Sequence, residues 1–153
     1  MGATVTLVTP DPTTGVDKLF GSATLPVVVS SSVVYPVGST PITASSGNVA
    51  AAVATATMAG AASLTTHITG FQVTGAGATA GAVVSVTVTG TISGTLTYTY
   101  VSATGAAVAN QSLIVQFNPP IPASAANTAI VVSCPSLGVG NTNNTVVAQG
   151  FRK

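Results

Sequence analysis

Charge is what this sequence lacks first. From Leu19 through Phe151 there is no Asp, Glu, Lys or Arg, and charged residues make up 3% of the 153-residue chain, where roughly 25% is usual for a globular protein. The net charge is +1. Without clustered Lys and Arg to neutralise phosphates, nucleic acid is excluded as a partner, and so is an anionic membrane surface. Catalysis and metal binding draw on Asp, Glu, His and Cys. Residues 46–153 offer His67 and Cys134 and no carboxylate, so the chain is not expected to be an enzyme or to hold a metal or other cofactor. A single cysteine allows no intrachain disulfide. There is no Trp, and with three tyrosines a sugar-stacking platform has little to build on. No stretch of 18 uninterrupted strongly apolar residues suggests a membrane helix. The N-terminal MGATVTLVTPDP lacks the basic and continuous apolar regions of a secretory signal. The glycosylation patterns at Asn110-Gln111-Ser112 and Asn143-Asn144-Thr145 therefore carry little weight.

What is present is apolar and β-forming. Hydrophobic residues make up 46%, which with so little charge is the opposite of a disorder signature. The composition shifts near residue 45. Residues 1–45 hold Pro10, Pro12, Pro26, Pro36 and Pro41, both acids, Asp11 and Asp17, and Lys18. They read as an extended N-terminal arm, since proline favours extended backbone and interrupts a sheet. The arm's apolar run, with Leu25, Val27, Val29, Val33 and Tyr35, would be an aggregation hazard if left bare, so these five are the candidate interface residues.

Residues 46–153 read as a β-sandwich domain. Ala82–Thr89 alternates Val84, Val86 and Val88 with Ser85, Thr87 and Thr89; Thr95–Val101 alternates Leu96, Tyr98 and Tyr100 with threonines; Ser112–Phe117 sets Leu113, Val115 and Phe117 on one face. Thr128–Cys134 and Thr145–Phe151 complete the set. Period two in β-branched and aromatic residues marks half-buried strands. Turns are expected at Gly75–Gly77, Gly90–Gly94, Gly105, Asn118-Pro119-Pro120 and Gly138–Asn144. Short strands at this spacing predict an all-β antiparallel sandwich, jelly-roll-like. Val49–Ala62 is alanine-rich and helix-compatible, but its alternation and lack of caps favour a strand whose small residues admit a close neighbour.

Four features are candidate sites. His67, on a strand with no acid to orient it, reads as a locally hydrogen-bonded surface or interface histidine. Cys134 reads as a buried small hydrophobe, with an intersubunit disulfide as the alternative. Gly75–Gly81 misses the dinucleotide-loop spacing and reads as a hairpin loop. The threonines at 55, 57, 87, 89, 95, 97 and 99 read as solvent-facing β-formers; a flat ice-binding array is the alternative, but they lack a fixed repeat.

Three stretches together, HITGFQVTGAGAT (67–79), IPASAANTAIVVS (121–133) and GNTNNTVVAQGF (140–151), resemble a family of small, charge-poor β-sandwich virion proteins of tailed bacteriophages, of the head-decoration or cement kind. The resemblance covers residues 46–151. It implies a structural protein on the outer capsid surface, with the major capsid protein and further copies of itself as partners, a trimer being favoured. Two other readings stay open: a host-surface binding fibre or adhesin module using loops 75–81, 102–111 and 138–144, and a tail structural protein.

Overall fold

A strand with apolar residues at every second position needs a second layer to cover that side. The structure, a computed structural model describing residues 8–10, 17–19, 35–105 and 111–153, supplies it with two antiparallel four-stranded sheets and no helix among the described residues. Two units are distinguished, Met1–Val34 and Tyr35–Lys153. In the first, β1 (Val8–Pro10) pairs antiparallel with β2 (Asp17–Leu19).

The second unit contains β3 (Thr40–Ser45), β4 (Ala54–Met58), β5 (Thr66–Ala76), β6 (Val83–Thr91), β7 (Gly94–Val101), β8 (Leu113–Pro122), β9 (Ile130–Cys134) and β10 (Asn143–Arg152). One sheet runs β3-β10-β5-β8 and the other β4-β9-β6-β7. Pairings nest: β3 with β10, β4 with β9, β5 with β8, β6 with β7. A long hairpin rolled over on itself has this order, which is that of an eight-stranded jelly roll. The sandwich expected from alternation is thus the fold.

The inner faces follow the sequence pattern. Val86 and Val88 of β6, Ile130 and Val132 of β9, and Val146 and Ala148 of β10 are buried, with Leu96, Tyr98, Leu113, Val115 and Phe117 packed on them. Ala54, Ala56 and Met58 are the buried side of β4; alanines there let the sheets approach closely, as their size implied. The strand in Val49–Ala62 is confined to those five residues, with Val49 bridging singly to Asn144.

Several boundaries differ from the sequence expectation: β5 runs on through Gly75 to Ala76, β6 runs through Gly90 to Thr91, and β10 starts at Asn143, each inside a stretch expected as a turn. Asn118-Pro119-Pro120, expected as a turn, lies within β8. Pairing of β8 with β5 breaks between Gln116 and Ile121, so the prolines sit at an irregularity of an edge strand, where no ladder bond needs their missing N–H. The sheet also begins at Thr40, inside the stretch assigned to the arm, because Thr40–Ser45 pairs along Val147–Arg152. Gly90, at the register shift of β6, has φ near +80° and its α-carbon lies against the Ala129 carbonyl. Only a residue without Cβ fits both conditions.

Candidate functional site

His67 and Cys134, the side chains with most chemistry in the jelly roll, both have local partners. His67 lies on β5, half-buried. Its Nδ1 is 3.0 Å from the Thr65 carbonyl oxygen, and its ring stacks on Phe151, centroids 4.7 Å apart and planes 7° off parallel. Tyr35 meets the same Phe151 edge-on at 5.7 Å. Phe151 thus lies on a strand yet is buried from the outside of the sheet, by the ring opposite it on β5 and by the residue where the second unit begins. This arrangement makes His67 a packing histidine. Among the described residues no three His, Cys, Asp or Glu side chains gather to hold a metal ion.

Cys134, at the end of β9, is fully buried. Burial pushes its thiol up to about 11, with Asn144 pulling weakly the other way. A thiol so held is protonated and unreactive at neutral pH. Asn144, on β10, ties the two sheets together: its Nδ2 donates to the Pro135 carbonyl at 3.0 Å and, at longer range, to Cys134 (3.5 Å) and Ala52 (3.4 Å). Asn141 works similarly at the loop end, donating to the carbonyls of Ala76 and Asn143. The Oδ1 atoms of both asparagines are buried and have no partner among the described residues, so each amide serves as a donor to backbone carbonyls.

The loops considered for adhesion converge at one end of the sandwich. Thr79 donates its N–H and hydroxyl to the Val139 carbonyl, Gly105 donates to Ala78, and the buried Ser102 hydroxyl donates to Leu137. Residues 106–110 lie outside the described residues. The assembled rim is neutral, with Val139 exposed at its tip.

The two sheets present different outer faces. On the β4-β9-β6-β7 sheet, Thr55, Ser133, Thr87 and Thr97 stand in one row across all four strands, and Thr55 and Ser133 hydroxyls are 3.5 Å apart. Thr57, Thr89, Ser85 and Thr99 flank it. The threonines noted in the sequence are therefore one surface. Apolar side chains interrupt it: Val131 stands between Thr57 and Thr89, and the exposed Val83–Val101 pair follows Ser85 and Thr99. On the other sheet a hollow of about 70 Å³ lies among Gln72, Gln116, Gln149, Ile114 and Val147. A second cleft of about 210 Å³ opens beside Thr99–Val101 and Gln111–Leu113. Both are smaller than the ≈300–1,000 Å³ of a cofactor or drug-sized ligand site.

Of the five candidate interface residues, Leu25, Val27, Val29 and Val33 lie outside the described residues, and Tyr35 packs on Phe151. Sequence reasoning passed over Val83 and Val101, which are cross-strand partners and exposed. Their signal was legible: Val83 shares its phase with Ser85 and Thr87, and Val101 shares its phase with Thr97 and Thr99, so both fall on the polar face. Phe151 and Asn144 had no such signal, because their roles depend on pairings across the whole chain.

The class these features define is an antiparallel jelly roll with a neutral, hydroxyl-rich exterior. No protein-family model matches this sequence, and no curated protein and no solved structure matches it either.

Proposed function

We propose that this chain is a structural virion protein, a decoration or cement protein that binds the outer surface of a tailed-phage capsid and stabilises the shell. The observation that carries the reading is the combination of a rigid jelly roll with a surface free of charge from Tyr35 through Phe151. Such a surface gives no steering toward charged ligands and no self-repulsion. It suits burial against other protein. Jelly rolls recur in viral shells, which supports the reading by analogy only, since fold does not dictate function. The partners are the major capsid protein and further copies of this chain. The arm, with Leu25, Val27, Val29 and Val33, contributes apolar contact by adding a strand to a neighbouring sheet edge, and weak contacts repeated around a lattice become avid.

Co-sedimentation with capsids stripped of the protein tests this. Saturation at a fixed small-integer ratio to the major shell protein, with a raised capsid melting temperature, is the expected result. Absence of binding at saturating protein would refute it. A truncation of the arm should stop at Val34, because Tyr35 and β3 belong to the second unit.

One observation favours a second reading, a host-surface binding module: loops 75–81, 102–105 and 138–144 meet at one end of the sandwich, the place where binding loops sit on other sandwiches. Binding of labelled protein to host cells that is lost on replacing residues 138–142, while capsid binding is absent, would select it.

A further inference from the structure

β5 carries a bulge in the middle of its sheet. Pairing skips Thr69 on both sides: Gly70 faces Gln149 of β10 and Gln116 of β8, and the next paired residue is Ile68. The Thr69 hydroxyl donates to the Gln149 carbonyl at 3.0 Å and fastens the bulge. Bulges re-aim side chains and recur beside functional sites. Here one sets a glutamine on each side of a glycine. Gln72 follows two residues along β5 on the same face, flanked by Val147 and Ile114. The three glutamines rim the hollow of about 70 Å³. Gly70 leaves the middle clear, because a Cβ there would stand 2.6 Å from the Val115 carbonyl oxygen and 2.8 Å from Gln116 Oε1. All three glutamines are exposed, and no hydrogen bond among the described residues engages their amides.

We propose that this hollow is a saccharide subsite that takes one face of a single neutral pyranose ring. The inference goes beyond the capsid role and does not depend on it.

The lining selects the ligand class. None of the lining side chains is charged, so an ion entering the hollow would lose water without gaining an opposite charge. A wholly apolar group would strip water from three amides and return no hydrogen bond. Each amide offers donors and an acceptor together. The neighbouring hydroxyls of a sugar, each a donor and an acceptor, answer both. The C–H side of the ring then rests on Ile114 and Val147, which are 61% and 39% exposed. The space agrees: at roughly 10–15 Å³ per water the hollow holds about five to seven waters, enough for one ring face and too little for a cofactor. An extended peptide would draw its hydrogen bonds from a strand edge. Here Gln72 and Gln149 rise from inner strands, β5 and β10.

With no aromatic ring to stack on, the subsite is weak, and a dissociation constant of about 1–10 mM is expected. Nuclear magnetic resonance of the isotope-labelled full chain tests it through the glutamine side-chain NH2 signals. The glutamines are at 72, 111, 116 and 149, and Gln111, beside the other cleft, is the internal control. The probes are methyl glucoside, methyl galactoside, methyl mannoside and N-acetylglucosamine. At least one is expected to shift Gln72, Gln116 and Gln149 saturably and to leave Gln111 still. Gln116→Ala or Gln149→Ala, both at exposed sites, is expected to weaken that binding at least about fivefold, as for one lost hydrogen bond. Gln111→Ala should leave it unchanged, and the backbone spectrum checks that each variant is folded. No saturable shift with any of the four at about 100 mM, well above the expected range, overturns the proposal. So do equal shifts with glycerol, or with N-acetylglycine methylamide as a peptide mimic. Loss of capsid co-sedimentation in the triple variant Q72A/Q116A/Q149A would make this face a protein contact and also overturn it. Capsid binding kept without any sugar shift removes the subsite and leaves the cement role standing.

Discussion

Asn144→Asp isolates the contact that ties one sheet to the other. The change keeps size and shape but replaces the Nδ2 donor by an oxygen facing the carbonyls of Pro135, Cys134 and Ala52. An ionised carboxylate cannot sit there, because the site is fully buried and offers it acceptors, not donors. The folded state must take the side chain protonated, so its pKa is raised above the unfolded value of about 3.9. The variant's stability is then present below about pH 4 and is lost as pH rises toward the folded pKa. If the carboxyl stays neutral to pH 7, three pH units correspond to about 4 kcal/mol, at 1.36 kcal/mol each. In a domain of this size that lowers Tm by roughly 10–15 °C. At pH 4 the protonated acid can donate to Pro135 in place of the amide, and the deficit should shrink to about 1 kcal/mol. Thermal unfolding followed by circular dichroism from pH 4 to 8 reads this directly. No Asp or Glu lies between Leu19 and Phe151, and the wild-type profile over the same pH range subtracts whatever His67 contributes. A loss that is the same at every pH, or no loss at pH 7, would refute the reasoning.

Three more outcomes are expected. Burial that raises the Cys134 thiol to about 11 keeps it protonated where the unfolded thiol, near 8.5–9, has ionised; stability present below pH 9 should therefore fall between pH 9 and 11. Cys134→Ala should remove that slope, and a thiol reagent should label wild-type Cys134 only with unfolding. Tyr35→Ala removes the edge-on contact with Phe151 and should cost about 1–2 kcal/mol in urea unfolding; an unchanged midpoint would mean the contact stabilises nothing. Raising NaCl from about 0.05 to 1 M should change capsid affinity less than about twofold, because screening acts on ion pairs; a steep salt dependence in co-sedimentation would point to charged contacts outside residues 35–151.

The strands whose partners need not be known were legible in the sequence. β6, β7 and β9 announce themselves by alternation, and the inward phase of Val86, Val88, Leu96 and Tyr98 is the phase observed. β8 was half legible: Leu113–Phe117 alternates, but prolines at 119 and 120 signal a turn unless one knows that the strand is an edge. β3 was hidden because Thr40–Ser45 is short, contains Pro41, and gains its stability from β10, more than a hundred residues away in sequence. Phe151 and His67 looked unrelated until the β5–β10 register set them face to face. The threonines at 55, 87 and 97 had no common period because the order that aligns them lies across strands rather than along the chain.

Loss of charge has a consequence for strand edges. Lysine is the common guard of an edge strand, and in the jelly roll the only Lys or Arg residues are Arg152 and Lys153, at its C-terminal end. What a neutral sequence supplies instead is proline, on β3 and on β8. A charge-free subunit therefore meets the edge-strand problem with backbone chemistry rather than electrostatics, and its edges should respond to where proline stands more than to salt.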